Sequence, residues 1–348
     1  MLINIIYFLL VFTVVALAHE AGHFFAAKKA GIRVFEFGLG FGPKLLSLKH
    51  GDTVYALNLI PILAYVKIAG TEDDLNEEPC PESQKYYTKP VLSKFAVSFF
   101  GPAMNIVLAF LILFSIFSVF GVPKDISNIV DRVSPGSPAD ISGLKSGDSI
   151  LSIDNIVFPK IDKAIDYIHK NPGKVLLLKI DRQGKYISIR VAPLLDPKLK
   201  IGLIGFSPRP VYEKVSLFSA LYYGLQQTLA MIALMFIIIG QLLTGAVSLR
   251  DLAGPVGIAQ ITGKYAQAGW LSLFHFVAFL NVNIGVLNLL PIPALDGGRL
   301  VFVGIEAVRK KPIDIETENK IHQWGFIFLL MLMAVVTLND ILRILRPR

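Results

Sequence analysis

Hydrophobic residues in this chain fall into long blocks separated by polar intervals. The first block covers residues 3–27, carries no charge from Ile5 to Ala18, and is followed by Lys28, Lys29 and Arg33. A second runs from about Leu92 to Phe120 with Lys94 at its entry, and a third over residues 215–247. The fourth extends from about Leu271 to Leu290 and the last from about Trp324 to Leu338. A helix needs about 20 apolar residues to cross the hydrocarbon of a bilayer, so hydropathy alone makes most of these blocks spans. The third differs: Gln226, Gln227 and Gln241 interrupt it, and a Gly254-Pro255 break follows. These features predict a segment, 215–262, that lies along the membrane or packs re-entrantly. The expected fold is therefore an α-helical polytopic membrane protein with about four transmembrane helices.

Two intervals have their own pattern. Over residues 31–70, Gly31, Gly38, Gly40, Gly42 and Pro43 punctuate short apolar pieces, and Pro61 breaks the run from Tyr55 to Ile68. These are strand and turn signals, and they predict β-hairpins associated with the membrane. The spacing of the glycines does not fit a phosphate-binding GxGxxG loop. Thr71 to Pro90 reads as a polar, acidic linker. From Lys124 to about Leu195 the chain turns soluble, giving in order a turn, a short helix, a turn and a strand. A helix near Ile161–Lys170 follows, then strands at Val175–Asp181 and Lys185–Val191 joined through Gln183-Gly184.

Composition agrees with the blocks. Hydrophobic residues make up 53% and charged residues 17% of the 348 positions, the profile of a membrane protein. The net charge of +8 is best accounted for by lysine and arginine flanking the spans, not by a nucleic-acid surface. A lone cysteine, Cys80, excludes an internal disulfide framework and a cysteine-based zinc site. The opening block lacks a basic leader and a small-residue cleavage pattern, so it is expected to stay as a mature span.

Chemistry enters at His19-Glu20-Ala21-Gly22-His23. Histidines at i and i+4 are about 40° apart around a helix, so both imidazoles leave one face, as a divalent metal requires. A glutamate beside the first is placed to take a proton from a water activated by that metal. Three ionisable groups at this depth of an apolar helix are expensive and point to function. A catalytic zinc wants one more protein ligand and an open position. Asp296 is the best candidate, because it follows a span, Pro291 and Pro293, and precedes Gly297 and Gly298. The prolines leave backbone near Asn288 unpaired, which is tolerated at membrane depth only where it lines a cavity. In Gly101-Pro102-Ala-Met-Asn105, small residues let another helix approach closely; Asn105 is either interhelical glue or a substrate-positioning group. Asp340 and Arg343 read as a surface pair.

The region around residues 125–197 resembles a bacterial PDZ domain, most specifically at GSPA, residues 136–139, and GLKSGD, residues 143–148. HEAGH at 19–23, GFGP at 40–43, GPAMN at 101–105 and NLLPIPALDGG at 288–298 together resemble the site-2 protease family of intramembrane zinc metalloproteases, of the bacterial regulator-of-sigma-E type. The resemblance implies Zn2+ held by His19, His23 and Asp296, with Glu20 as general base. It implies substrate contacts at Asn288, Asn105, Pro291, Pro293, Gly40 and Gly42. It divides the chain into a first core half (1–122), one inserted PDZ domain (125–197), the 215–262 segment and a second core half (271–348). The known proteobacterial members carry two tandem PDZ domains, whereas this chain has room for one. The expected partners are single-span membrane proteins, a peptide or substrate ectodomain at the PDZ domain, and the bilayer, with no nucleic acid.

Two other classes remain to be separated. One is a membrane scaffold that has lost catalysis, for which an intact Glu20 has no chemical use. The other is a metal transporter, which should show repeated spans and ligands along a path; no internal repeat is present. Basic residues after the first block, and Arg299, Arg309, Lys310 and Lys311 after Asp296, place the active-site end on the cytoplasmic side of the inner (cytoplasmic) membrane and the PDZ domain outside.

Overall fold

The first apolar block forms a single helix, α1 (Leu2–Lys29), closed by Lys28 and Lys29 in its last turn. The basic pair suits the negative end of the helix dipole as well as a membrane surface. The computed structural model describes residues 2–71, 79–197, 199–248 and 252–345. Residues 72–78 of the expected linker lie outside the described residues. The chain divides into two units, residues 1–116 with 221–348, and residues 117–220.

In the first unit, β1 (Val34–His50) and β2 (Thr53–Ile68) curl on each other, so Gly38 is paired with both Ala56 and Tyr65. The predicted hairpins are thus present, and Leu45, Leu46 and Leu48 remain exposed on them. Helix α2 (Val91–Phe120) follows, with Pro102 inside it. Lys94, in its first turn, is buried and donates to both carboxylate oxygens of Glu306 at 2.9 Å.

The second unit carries a five-stranded antiparallel sheet. Its elements are β3 (Val122–Val133), α3 (Pro138–Ile141), β4 (Ser149–Ile153), α4 (Ile161–His169), β5 (Leu176–Arg182) and β6 (Lys185–Val191), followed by the short pair β7 (Leu194–Leu195) and β8 (Gly202–Leu203) and by β9 (Phe206–Glu213). The strand order is β6-β5-β4-β3-β9. Gln183 and Gly184 both have positive φ, the backbone a two-residue hairpin requires. Leu176, Leu178 and Ile180 of β5 meet Ile161, Ala164 and Ile168 of α4 in one core. Asp148 is buried and accepts from Arg182 Nε and Nη2 at 2.7 Å and from the Lys145 N–H. Burial would push its carboxyl up; the Arg182 guanidinium outweighs that and holds it below the usual range.

The sheet continues past the expected limit of 197, because β9 pairs with β3 from Val122↔Glu213 to Val133↔Phe206. Pro208 and Pro210 make this stretch look like a turn. The Ser127 hydroxyl donates to Arg209 O, so Arg209 faces β3 and the alternating prolines face the open edge, where no ladder N–H is needed.

Segment 215–262 makes two helices, α5 (Leu217–Leu243) and α6 (Pro255–Gln267), and α5 has no internal fold-back. No proline or charge interrupts residues 217–243, and three glutamines do not break a helix. Five helices among the described residues, α5 included, are long and apolar enough to cross a bilayer by length and composition. The predicted break at Gly254-Pro255 is where α6 begins. The chain closes with α7 (Trp270–Asn288), α8 (Asp296–Arg309) and α9 (Ile315–Leu345). Asp340 is not a surface residue: it is 2% exposed and accepts the Gly257 N–H at 2.7 Å.

Val11 and Val15 of α1 pack against Leu273, Phe276 and Leu280 of α7. Gln267, just before α7, donates to Asn4 near the start of α1, while His19 meets Asp296 beyond the end of α7. The two helices run in the same direction, as a shared metal site requires.

Candidate metal centre

α1 delivers His19 and His23 to one side, one helical turn apart. What fixes them is α2. A Cβ on Gly22 would lie 2.0 Å from Phe100 O, and one on Gly101 would lie 2.2 Å from His23 Nε2, so the two helices meet only because both positions are glycine. The approach brings Val97 O to 2.7 Å from His23 Nδ1. His23 therefore carries its proton on Nδ1 and presents a lone pair at Nε2. Asn105 is wholly buried, its amide 3.4 Å from His19 Nδ1. As placed, nitrogen faces nitrogen while Asn105 Oδ1 is buried without a partner. Exchanging the two amide atoms gives an Nδ1–H donor from His19 and satisfies the oxygen. His19, like His23, then turns Nε2 outward as an acceptor. Buried in this way, Asn105 is placed to orient a histidine and does not line the cleft.

Asp296 opens α8. The chain leaves α7 at Asn288, turns through Pro291 and Pro293, and passes Ala294 at φ +75° before reaching the carboxylate. Gly297 and Gly298 pack on the turn itself, since a Cβ on either would fall within 2.1–2.5 Å of the carbonyls of Leu290 and Ile292. Asp296 Oδ2 lies 3.1 Å from His19 Nε2 and Oδ1 lies 3.4 Å from His23 Nε2, while the two Nε2 atoms are 3.1 Å apart.

These distances fit zinc. Ligands about 2.0–2.1 Å from a tetrahedral ion are about 3.3 Å from each other. Three lone-pair donors converging this closely repel unless a cation lies between them. Among the described residues this is the one such group of three metal-binding side chains. Glu20 sits beside the triad in the same cleft.

The cleft also takes in Asn288. It does not take in Asn105, Pro291, Pro293, Gly40 or Gly42 among its lining residues. Pro293 packs against Gly325 of α9. Gly40 lies in β1, with its carbonyl accepting from Asn58 Nδ2 at 2.8 Å, and nothing would meet a Cβ on Gly42. Arg299, His322 and Gln323 line the cleft without having been anticipated, as do Val66 and Ile68 of β2. Arg299 carried a signal, since it is three residues beyond Asp296 and so shares its helix face. His322 carried none that distinguishes it from any histidine near a helix start.

The description of peptidase family M50 matches residues 7–332. The chain belongs to peptidase family M50. As an M50 member it is a zinc metallopeptidase, and the His19, His23 and Asp296 cluster suits that metal. The chain is 32% identical over 420 residues to the regulator of sigma-W protease RasP of Bacillus subtilis, covering 98% of this chain and 99% of that protein. It is 32% identical over 416 residues to the zinc metalloprotease RasP of Geobacillus kaustophilus, covering 97% of each. The PDZ domain of an SdrC-like protein from Listeria monocytogenes is 29% identical, with a TM-score of 0.22 over 25% of this chain and 90% of that one.

Proposed function

We propose that this M50 peptidase cleaves single-span membrane proteins within or near the bilayer. The observation that carries the reading is the position of the triad: two ligands and Glu20 lie on an apolar, membrane-length helix, and the third lies just beyond another. Zinc, when bound, supplies Lewis acidity to a peptide carbonyl and to water. His19, His23 and Asp296 hold it, and Glu20 takes the proton of the attacking water and passes it to the leaving amine. Asn288 is on the cleft wall for substrate backbone, while Pro291 and Pro293 shape the turn that carries Asp296. A substrate helix must unwind to be cut. Val66 and Ile68 place the end of β2 at the cleft, where an extended segment can pair by strand addition. Gly40 and Gly42 belong to the same hairpin region. The PDZ-like unit would engage a peptide or a substrate ectodomain, and anti-sigma factors and signal-peptide remnants are suitable substrates. A purified, liposome-reconstituted preparation should cut a model single-span protein, lose this activity to a zinc chelator and regain it with zinc. Metal flux without cleavage would instead mark a transporter.

The basic residues flanking the triad support a triad toward the cytoplasm and a PDZ-like unit outside. α6 supports four crossings. Its first turn meets Asp340 and its end meets Asn4, 18 and 15 residues from His322 and His19. At 1.5 Å per residue these are about 27 and 22 Å along α9 and α1 from the metal end, so both ends of α6 lie away from it. If α5 crossed, the chain between Leu243 and Pro255 would have to return to the opposite side, and irregular backbone is not tolerated where it meets lipid. Single cysteines at Ser216 and Ser248 in a Cys80→Ser background should both react with an impermeant thiol reagent from outside. Reaction of Ser248→Cys from the cytoplasm alone would mean that α5 crosses.

A further inference from the structure

We infer that His322 is the positioning residue for Asp296, acting through the strained turn that precedes it. The inference rests on Asp296 being a zinc ligand. The chain between Pro293 and Asp296 is short, and Ala294 sits in the left-handed region at φ +75°, which a residue with a Cβ adopts only when its surroundings hold it there. The holding group is on α9. His322 Nδ1 accepts the Ala294 N–H at 2.9 Å across 28 residues of sequence. His322 is 2% exposed, and its ring packs on Phe302 of α8 with centroids 5.4 Å apart. It therefore touches the chain just before Asp296 and the helix that Asp296 begins.

Three residues further along α9, Gly325 presents bare backbone to the same turn. A Cβ there would lie 2.4 Å from Pro293 Cβ and 2.6 Å from Pro293 O. Residues at i and i+3 share a helix face, so α9 offers a flat seat for Pro293 and one acceptor for Ala294. The Nε2 of His322 is buried without a partner among the described residues. The bond to Ala294 is thus the polar contact that orients the ring.

This role needs an acceptor at one place and does not need an imidazole. Asparagine carries Oδ1 the same number of bonds from Cα as histidine carries Nδ1 and can accept the same N–H; glutamine places its oxygen one bond further out. Leucine leaves the part-buried Ala294 N–H without its acceptor, so the turn relaxes and the carboxylate leaves its place beside His19 and His23. Outer-shell partners of metal ligands typically change affinity by about 10–100-fold when removed.

The test is zinc affinity of the full chain in detergent, by competition with a chromophoric chelator, for wild type, H322N, H322Q and H322L. We expect H322N to lie within about threefold of wild type and H322Q and H322L to bind about 10–100-fold more weakly. Hydrogen exchange at Ala294 should quicken in H322Q and H322L but not in H322N. Wild-type affinity in H322Q and H322L would overturn the inference, and so would H322N binding as weakly as H322L. If H322L does not fold, the contrast between H322N and H322Q decides alone. Equal zinc binding by wild type and Asp296→Asn would instead overturn the ligand assignment on which the inference rests.

Discussion

Glu20→Gln should retain zinc and lose turnover by a factor of about 10²–10⁴, the usual contribution of a general base. The substitution keeps shape and hydrogen-bonding reach but leaves no lone-pair carboxylate to take a proton. Glu20 lies in the cleft beside the triad and outside the group of His19, His23 and Asp296, so the metal site stays whole. Metal analysis of the purified variant, together with single-turnover cleavage, reads both halves of this expectation. Normal turnover would remove Glu20 from the base role; loss of zinc would make it a ligand.

Gly101→Ala should abolish zinc binding although it adds one methyl group. That methyl would lie 2.2 Å from His23 Nε2 and 2.4 Å from its Cε1, far inside any real contact. The ring must move by most of an ångström, and Val97 O then loses His23 Nδ1. Zinc ligands tolerate displacements of only about 0.2 Å, so affinity should fall by 100-fold or more, as a first-order expectation from ligand geometry. Gly304→Ala is the control, because nothing lies within 4 Å of a Cβ at that position. Isothermal or chelator-competition titration of the two variants should give opposite results. Equal affinities would mean that α1 and α2 can separate without disturbing the site.

What could be read in the sequence was whatever chemistry is local. His19 and His23 share a face by helical period alone, and Asp296 follows from two prolines that end a helix and two glycines that start the next. The small residues of Gly101-Pro102-Ala-Met-Asn105 foretold a close helix approach, which is found at Gly22 and Gly101. The partners that orient the His19 and His23 rings were not legible, because they come from across the fold. Val97 contributes only a carbonyl, which every residue has, and Asn105 stands 86 positions along the chain from His19. His322 reaches Ala294 from another helix in the same way. The strand Phe206–Glu213 was hidden because Pro208 and Pro210 signal a break, and only the outward facing of an edge strand makes them acceptable there. The length of α5 shows the limit of hydropathy: it sets what a helix can do in a membrane, while the placement of α6 bears on what it does.

The central claim is that this metal centre cuts peptide bonds at the membrane. The most direct measurement is the identity of the new termini when the reconstituted protein acts on a single-span substrate, determined by mass spectrometry of both fragments. The expected termini lie within or close to the apolar segment of the substrate, absent with Glu20→Gln and absent under zinc chelation until zinc is restored. Termini confined to a soluble ectodomain, or cleavage that persists under chelation, would contradict it.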